Sequence, residues 1–257
     1  MKRVISKITS RLKHYFKKYC PYILNDLLRI NIKLLKKTDS DIQKQLKTRY
    51  NYQKKFNKFN IKKGDKVLDL GSGADPFPLA THLADLYIGK TTHRSGGSLV
   101  IKNDRPFTIC NIEKTPFKDK EFDFVYCSHV LEHTNNPAKA CEEIMRIGKR
   151  GYIETPTRMS DILFNFTKLQ EHHKWHVNII HNTILFIEWQ SYECRDNKFE
   201  YLFQQAHSKW LNPFQSFFCN NRDLFSNMFL WENKFSYIVI NKKGKIINHN
   251  FNKKEKW

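Results

Sequence analysis

Residues 66–78, KVLDLGSGADPFP, constrain the fold of this chain more than any other stretch. A β-type apolar run stops at Asp69, and two glycines follow in the spacing D-x-G-x-G. A strand ending in glycines lets the backbone approach a ligand closely. A dinucleotide turn would continue G-x-G-x-x-G into a helix whose N-terminus holds pyrophosphate. Here Pro76 takes the third glycine position and Asp75 would repel a phosphate; there is also no Lys-Ser/Thr pair of a phosphate loop. A cationic, phosphate-free ligand such as S-adenosylmethionine suits this acidic turn better. Asp69 organises the turn and the ligand's amino group, while Gly71, Ser72 and Gly73 leave room for its body.

The chain around the turn alternates short apolar runs with helical signals, the pattern of a parallel sheet in an α/β domain. KVLDL reads as a first strand and ATHLADLYI contains a second. FTICNI, FDFVYCSH and GYIETP are the third, fourth and fifth. A helix separates the last two: Asn136 caps it, Pro137 opens it, Ala140, Cys141, Ile144 and Met145 form its stripe, and Gly148 and Gly151 follow. Pro76 and Pro78 reduce the segment between the first two strands to a turn. The second strand then ends at Asp85, whose carboxylate would accept the ribose hydroxyls. The alternative register puts Gly89 or Lys90 there and loses the carboxylate. Asn111 follows the third strand and can bond an adenine amino group, with Ile112 on the ring face. The fourth strand ends in Cys127, Ser128 and His129, beside the methionine part of such a ligand.

Together these residues resemble the class I S-adenosylmethionine-dependent methyltransferases, in particular the type 11 methyltransferase domain. VLDLGSG, NIEKTPFKDKEFDFVYCSHVLEH and NPAKACEEIMRIGKRGYIETP carry the resemblance, which covers residues 61–157. It implies an α/β Rossmann-like fold with a seven-stranded methyltransferase sheet and a reversed edge hairpin, which FLWENKFSYIVI would supply. It departs from the family in two places. The usual acid is Asn111 here, and the GSGADPFP turn lacks the customary third small residue and helix.

Charge divides the chain. Residues 1–66 carry 20 Lys and Arg against 4 Asp and Glu, leaving a net +4 of the total +20 for the rest. Val4, Ile8, Leu12 and Phe16 recur at helical spacing among basic residues, Leu24 to Leu35 hold a second apolar pattern, and a third helix begins after Asp39, Ser40 and Asp41. The chain thus divides into a basic helical extension, 1–60, and a methyltransferase domain, 61–257. Within the latter, 61–157 is the cofactor half and 158–257 an acceptor-side lid and edge region. Residues 157–257 hold 20 of the 36 aromatic residues and one glycine, which suits packing or an apolar lid. The extension is either a solubilising composition bias or a surface for an anionic membrane or nucleic acid.

Basic residues interrupt every apolar step at the N-terminus, no run reaches the length of a membrane span, and the six cysteines form no CxxC pair. These features fit a cytoplasmic protein with free thiols, with peripheral contact at the inner membrane face as an option. Methyl transfer needs in-line positioning, plus a base where the acceptor is a hydroxyl. Candidate bases are Glu154 at the end of the fifth strand and His172 and His173 within EHHKWH; His129, His133 and His176 are further candidates. His172 and His176 are four apart but lack a second ligand pair or an HExxH pattern, so no metal is expected. The expected reaction is O-methylation of a small-molecule or glycan acceptor by direct displacement. The alternatives are a nucleic-acid methyltransferase, a peripheral-membrane enzyme of a lipid-linked acceptor, and a binding protein without turnover. Oligomeric state is not legible.

Overall fold

The computed structural model describes residues 49–88, 105–164, 173–194, 196, 199–206 and 212–251. The helices expected before residue 49, the alternative strand end at Gly89 and Lys90, and His172 lie outside these residues. Helix α1 (Arg49–Phe56) precedes the strands β1 (Val67–Leu70), β2 (His82–Asp85), β3 (Phe107–Ile109) and β4 (Phe124–Ser128). Helix α2 (Pro137–Ile147), β5 (Arg150–Pro156) and the short α3 (Arg158–Leu163) follow. The remainder comprises β6 (Trp175–Ile180), β7 (Thr183–Glu188), α4 (Tyr201–Ala206), α5 (Pro213–Asn220), α6 (Arg222–Phe225), β8 (Ser226–Glu232), β9 (Ser236–Ile240) and β10 (Ile246–His249).

The main sheet runs β3-β2-β1-β4-β5-β8, parallel except for β8, which is antiparallel to β5. β1 and β4 are buried along their whole length, as strands covered on both faces should be. Strand order reverses at β1, so the crevice at the C-terminal ends of β1 and β4 is the switch point where α/β sheets bind ligands. Alternation along the strands sorts the site. Val67, Phe124, Tyr126 and Tyr152 pack with Phe59 and Phe77 on one face, and Leu68, Leu70, Val125, Cys127 and Ile153 join α2 on the other. Asp69 and Glu154 continue the first set by the same period of two. The acid at the end of β1 and the acid of β5 therefore share the face that α1 covers.

Helix α2 forms as the sequence predicts. The Asn136 side chain accepts from the Lys139 amide, Pro137 opens the helix, and Gly148 ends it. Its buried stripe includes Ala140, Cys141, Ile144 and Ile147.

The edge of the sheet corrects one expectation. FLWE does form β8 against β5, but FSYIVI does not return beside it. β9 crosses into a second sheet, β10-β9-β7-β6, where it runs parallel to β7. Asn233, at φ 61°, redirects the chain after β8. Tyr237 and Val239 of β9 then bury alternately with Ile184 and Phe186 in the α2-side core, and the Tyr237 hydroxyl donates to Glu142 of α2 at 2.6 Å. Among the described residues the main sheet thus has six strands; the Rossmann-like α/β class stands. No described helix is long and apolar enough to cross a membrane.

Candidate active site at the switch point

The glycine turn is braced by its neighbours on β2. The amides of Gly71 and Ser72 both donate to the Ala84 carbonyl, at 2.8 and 3.0 Å. Gly71 has φ +90°, and a Cβ there would lie 2.3 Å from Val130 Cγ2, so only glycine fits. Gly73 donates its amide to Asp85 Oδ2 at 2.9 Å, while Asp85 Oδ1 accepts from Tyr87 at 3.0 Å. Asp85 ends β2, the register the sequence favours, and it also braces the turn. The Cys110 amide donates to the Asp85 carbonyl at 3.1 Å, bringing the loop after β3 alongside. There Asn111 Oδ1 accepts from the Glu113 amide at 2.9 Å, and Ile112 is buried in the α2-side core.

Between β1 and β2 the chain makes turns and no helix, as the prolines require. Phe77 is the anchor: its ring stacks on Tyr126 with centroids 4.1 Å apart, and its amide donates to Asp69 Oδ2 at 2.7 Å. Burial pushes the Asp69 carboxyl up to about 7, against the opposing pull of the Phe77 amide and Arg49. Arg49 donates its backbone amide to Asp75 at 2.9 Å and its guanidinium to the Ser128 carbonyl at 3.1 Å. Burial opposes its charge, but Tyr126, Tyr52, Glu154 and Asp69 around it raise its pKa. The Ser72 hydroxyl is buried with no hydrogen-bond partner among the described residues.

Glu154 is fully buried beneath α1. Oε1 accepts from the Tyr52 hydroxyl and pairs with His129 Nε2 at 3.0 Å; Oε2 accepts from Gln53 at 2.8 Å and from the Tyr152 hydroxyl. Burial disfavours its charge, but the His129, Tyr152 and Tyr52 bonds outweigh this and lower its pKa. Gln53 also bonds the Tyr126 hydroxyl. His129 has a left-handed backbone, φ 57°, and its ring spans Glu154 and Glu132, 3.5 Å from the latter. Burial opposes its charge, but the two carboxylates raise it to about 9.

The strand ends therefore gather Asp69, Gly71, Ser72, Gly73, Asp85 and Asn111, with Ser128, His129 and Glu154 on the β4–β5 side. The Cys127 side chain faces away, into the α2-side core. His173 sits apart from Glu154: its Nδ1 lies 2.6 Å from Asp161 Oδ1, and its ring packs edge-on against His133. His176, three residues on, points elsewhere. Its ring lies against Trp189, and burial pushes it down to about 4.

Arg49, Tyr52 and Gln53 are absent from the sequence reading. Their spacing, i, i+3 and i+4, is one helical face, but it is polar and so escapes a search for apolar stripes. Arg222 is a second addition, its guanidinium 4.6 Å from the Tyr52 ring centroid and 3.9 Å from that of Phe218.

With this geometry in view, comparison with known proteins gives the class. Residues 68–153, a third of the chain, match the methyltransferase domain family, which supports a methyltransferase domain over that stretch. An uncharacterized protein of Methanocaldococcus jannaschii is 35% identical over 94 residues, which are 37% of this chain and 44% of that protein. The chain thus spans less than half of that curated relative. Among solved structures it is similar to the PH0226 protein of Pyrococcus horikoshii (18% identity, TM-score 0.39, 77% of this chain and 93% of that one). It is also similar to the YcgJ protein of Bacillus subtilis (18% identity, TM-score 0.37, 49% and 62%).

Proposed function

We propose that the whole protein is an S-adenosylmethionine-dependent methyltransferase acting on a hydroxyl of a small-molecule or glycan acceptor. The observation that carries the methyl-transfer reading is the turn itself: two glycines at positive φ, one held against the β2 backbone and the other on Asp85. The residues fit the cofactor. Gly71 admits no Cβ, the Ser72 hydroxyl is buried without a partner among the described residues, and Asp69, Asp75 and Asp85 meet the turn with Arg49 beside them. When bound, the cofactor supplies an electrophilic methyl group on a sulfonium centre.

Asp85 would hold the ribose hydroxyls from the end of β2. Asn111 would serve the adenine amino group, Asp69 the cationic end, and Arg49 the carboxylate of the amino-acid tail. Ser128 and His129 would line the methionine part, Cys127 through its backbone, and Ile112 would back the adenine from the core. On the acceptor side, Glu154 is saturated by four donors and serves to fix His129, Tyr52 and Tyr152. His129, raised to about 9 between Glu154 and Glu132, is charged at neutral pH and so would stabilise negative charge on the acceptor oxygen rather than receive its proton. The net +16 of residues 1–66 favours a second reading, in which the acceptor is lipid-linked at an anionic membrane or is a nucleic acid.

Transfer of a radiolabelled methyl group to a panel of phenols, sugars, lipid-linked glycans and RNA tests both readings. Label on a base-stable ether of a phenol or sugar is the expected result. Label confined to RNA, or no turnover by protein that binds the cofactor product, would overturn the hydroxyl assignment.

A further inference from the structure

The loop after β4 carries a buried acid that the methyltransferase reading does not use. Glu132 is fully buried, and neither of its carboxylate oxygens accepts a hydrogen bond among the described residues. His129 Nδ1 at 3.5 Å and His133 Nε2 at 3.9 Å face it at ion-pair distance, beyond a good hydrogen bond. A buried carboxylate without hydrogen bonds is costly unless something of opposite charge meets it directly.

A third group arrives from a distant part of the chain. The Lys174 amide donates to the Glu132 carbonyl at 2.8 Å, and the Trp175 indole donates to the Thr134 carbonyl at 2.8 Å. These two bonds clamp the start of β6 to the loop and bring His173 beside His133. One ligand atom each from Glu132, His133 and His173 then lie within 4.8 Å of one another. His173 is itself oriented by Asp161, buried within α3, whose second oxygen accepts no hydrogen bond among the described residues. A carboxylate that fixes a ring in this way is the usual support of a metal-bound imidazole.

We propose that Glu132, His133 and His173 bind a divalent transition-metal ion, with Asp161 as the positioning residue for His173. Ligands about 2.1 Å from one ion lie about 3.4 Å apart in a tetrahedron, so binding would draw the widest-spaced pair about 1.4 Å closer at most. Two imidazoles and a carboxylate suit zinc, iron(II) or manganese(II) rather than calcium, which takes six or more oxygens. Three protein ligands leave at least one position for an outside oxygen, the mark of a working rather than a purely structural site. The assignment of the ion stands on these side chains alone. Only its use, holding the acceptor oxygen, rests on the methyltransferase reading.

The test is a titration of chelator-treated, full-length protein with cobalt(II), followed by visible absorption, and with zinc chloride, followed by calorimetry. One equivalent should bind with micromolar or tighter affinity and raise the melting temperature. Glu132→Gln and His173→Asn should each weaken binding at least tenfold, and Asp161→Asn about tenfold, while His181→Asn leaves it unchanged. Binding of S-adenosylhomocysteine, measured in the same variants, reports whether each has folded. Retained S-adenosylhomocysteine binding with no stoichiometric metal uptake would overturn the metal site and leave the methyltransferase reading intact. Metal binding that persists undiminished in both Glu132→Gln and His173→Asn would overturn it as well. Metal uptake without S-adenosylhomocysteine binding would support the site and contradict the proposed function.

Discussion

At Asp69 the fold and the proposed cofactor would meet in a single carboxyl. Burial drives it up to about 7, so near neutrality it is only partly ionised. A ligand bearing an ammonium group binds the ionised form better, so cofactor affinity should rise as pH increases from 6 to 8. Calorimetry in buffers of different ionisation enthalpy should detect proton release on binding, and Asp69→Asn should abolish it; a pH-independent affinity would remove Asp69 from the site. Gly71 makes a sterner demand. Gly71→Ala adds a methyl 2.3 Å from Val130 Cγ2 at a backbone of φ +90°. The variant should lose on the order of 2 kcal/mol or more of stability. Pairing it with Val130→Ala should recover part of that loss but not all, because the backbone strain remains. Denaturant melts of the single and double variants check both statements.

At the scale of elements, α1 is the piece that turns a sheet into a site. Tyr52 and Gln53 supply two of the donors that keep Glu154 charged inside the protein. Tyr52→Phe should therefore cost about 1–3 kcal/mol, the toll of removing a donor from a buried charge. A melt within error of the parent would mean that water replaces the hydroxyl. Much of the parallel sheet was legible from sequence because its signals are local. Asn136-Pro137 and Gly148 bound α2, apolar runs mark β1 to β5, and Pro76 with Pro78 forbid a helix before β2. What escaped depends on residues far apart. Nothing in RYNYQ announces that its polar face will meet Glu154, 101 residues later for Gln53. Likewise His173 reads as one histidine in a cluster until backbone bonds at Lys174 dock it on Glu132. The fate of β9 turned on Tyr237 and Val239 having α2 and β7 to bury against, a competition that a strand pattern alone does not decide.

For the whole molecule, two electrostatic expectations follow. His176 is neutral in its pocket, titrating at about 4, whereas the unfolded chain takes up that proton near 6.5. Below 6.5 the unfolded state binds more protons, so stability is present above that pH and is lost as pH falls toward 4. The loss from this one group is about 3 kcal/mol. His176→Phe should flatten that limb of a stability-against-pH curve, and an unchanged limb would assign it elsewhere. The second expectation concerns the charge excess in residues 1–66. Vesicles containing anionic lipid should sediment the full chain at low ionic strength and release it at high salt, the behaviour of screened surface charge. Sedimentation indifferent to salt, or none at all, would make the positive field a matter of solubility.

The central claim is that the KVLDLGSGADPFP turn, closed by Asp85, is a cofactor site. Calorimetric titration of the folded protein with S-adenosylhomocysteine tests it most directly. The account predicts one-to-one binding in the micromolar range, weakened at least tenfold, or about 1.4 kcal/mol, by Asp85→Ala. No heat of binding at millimolar ligand, from protein with a cooperative melt, would contradict it.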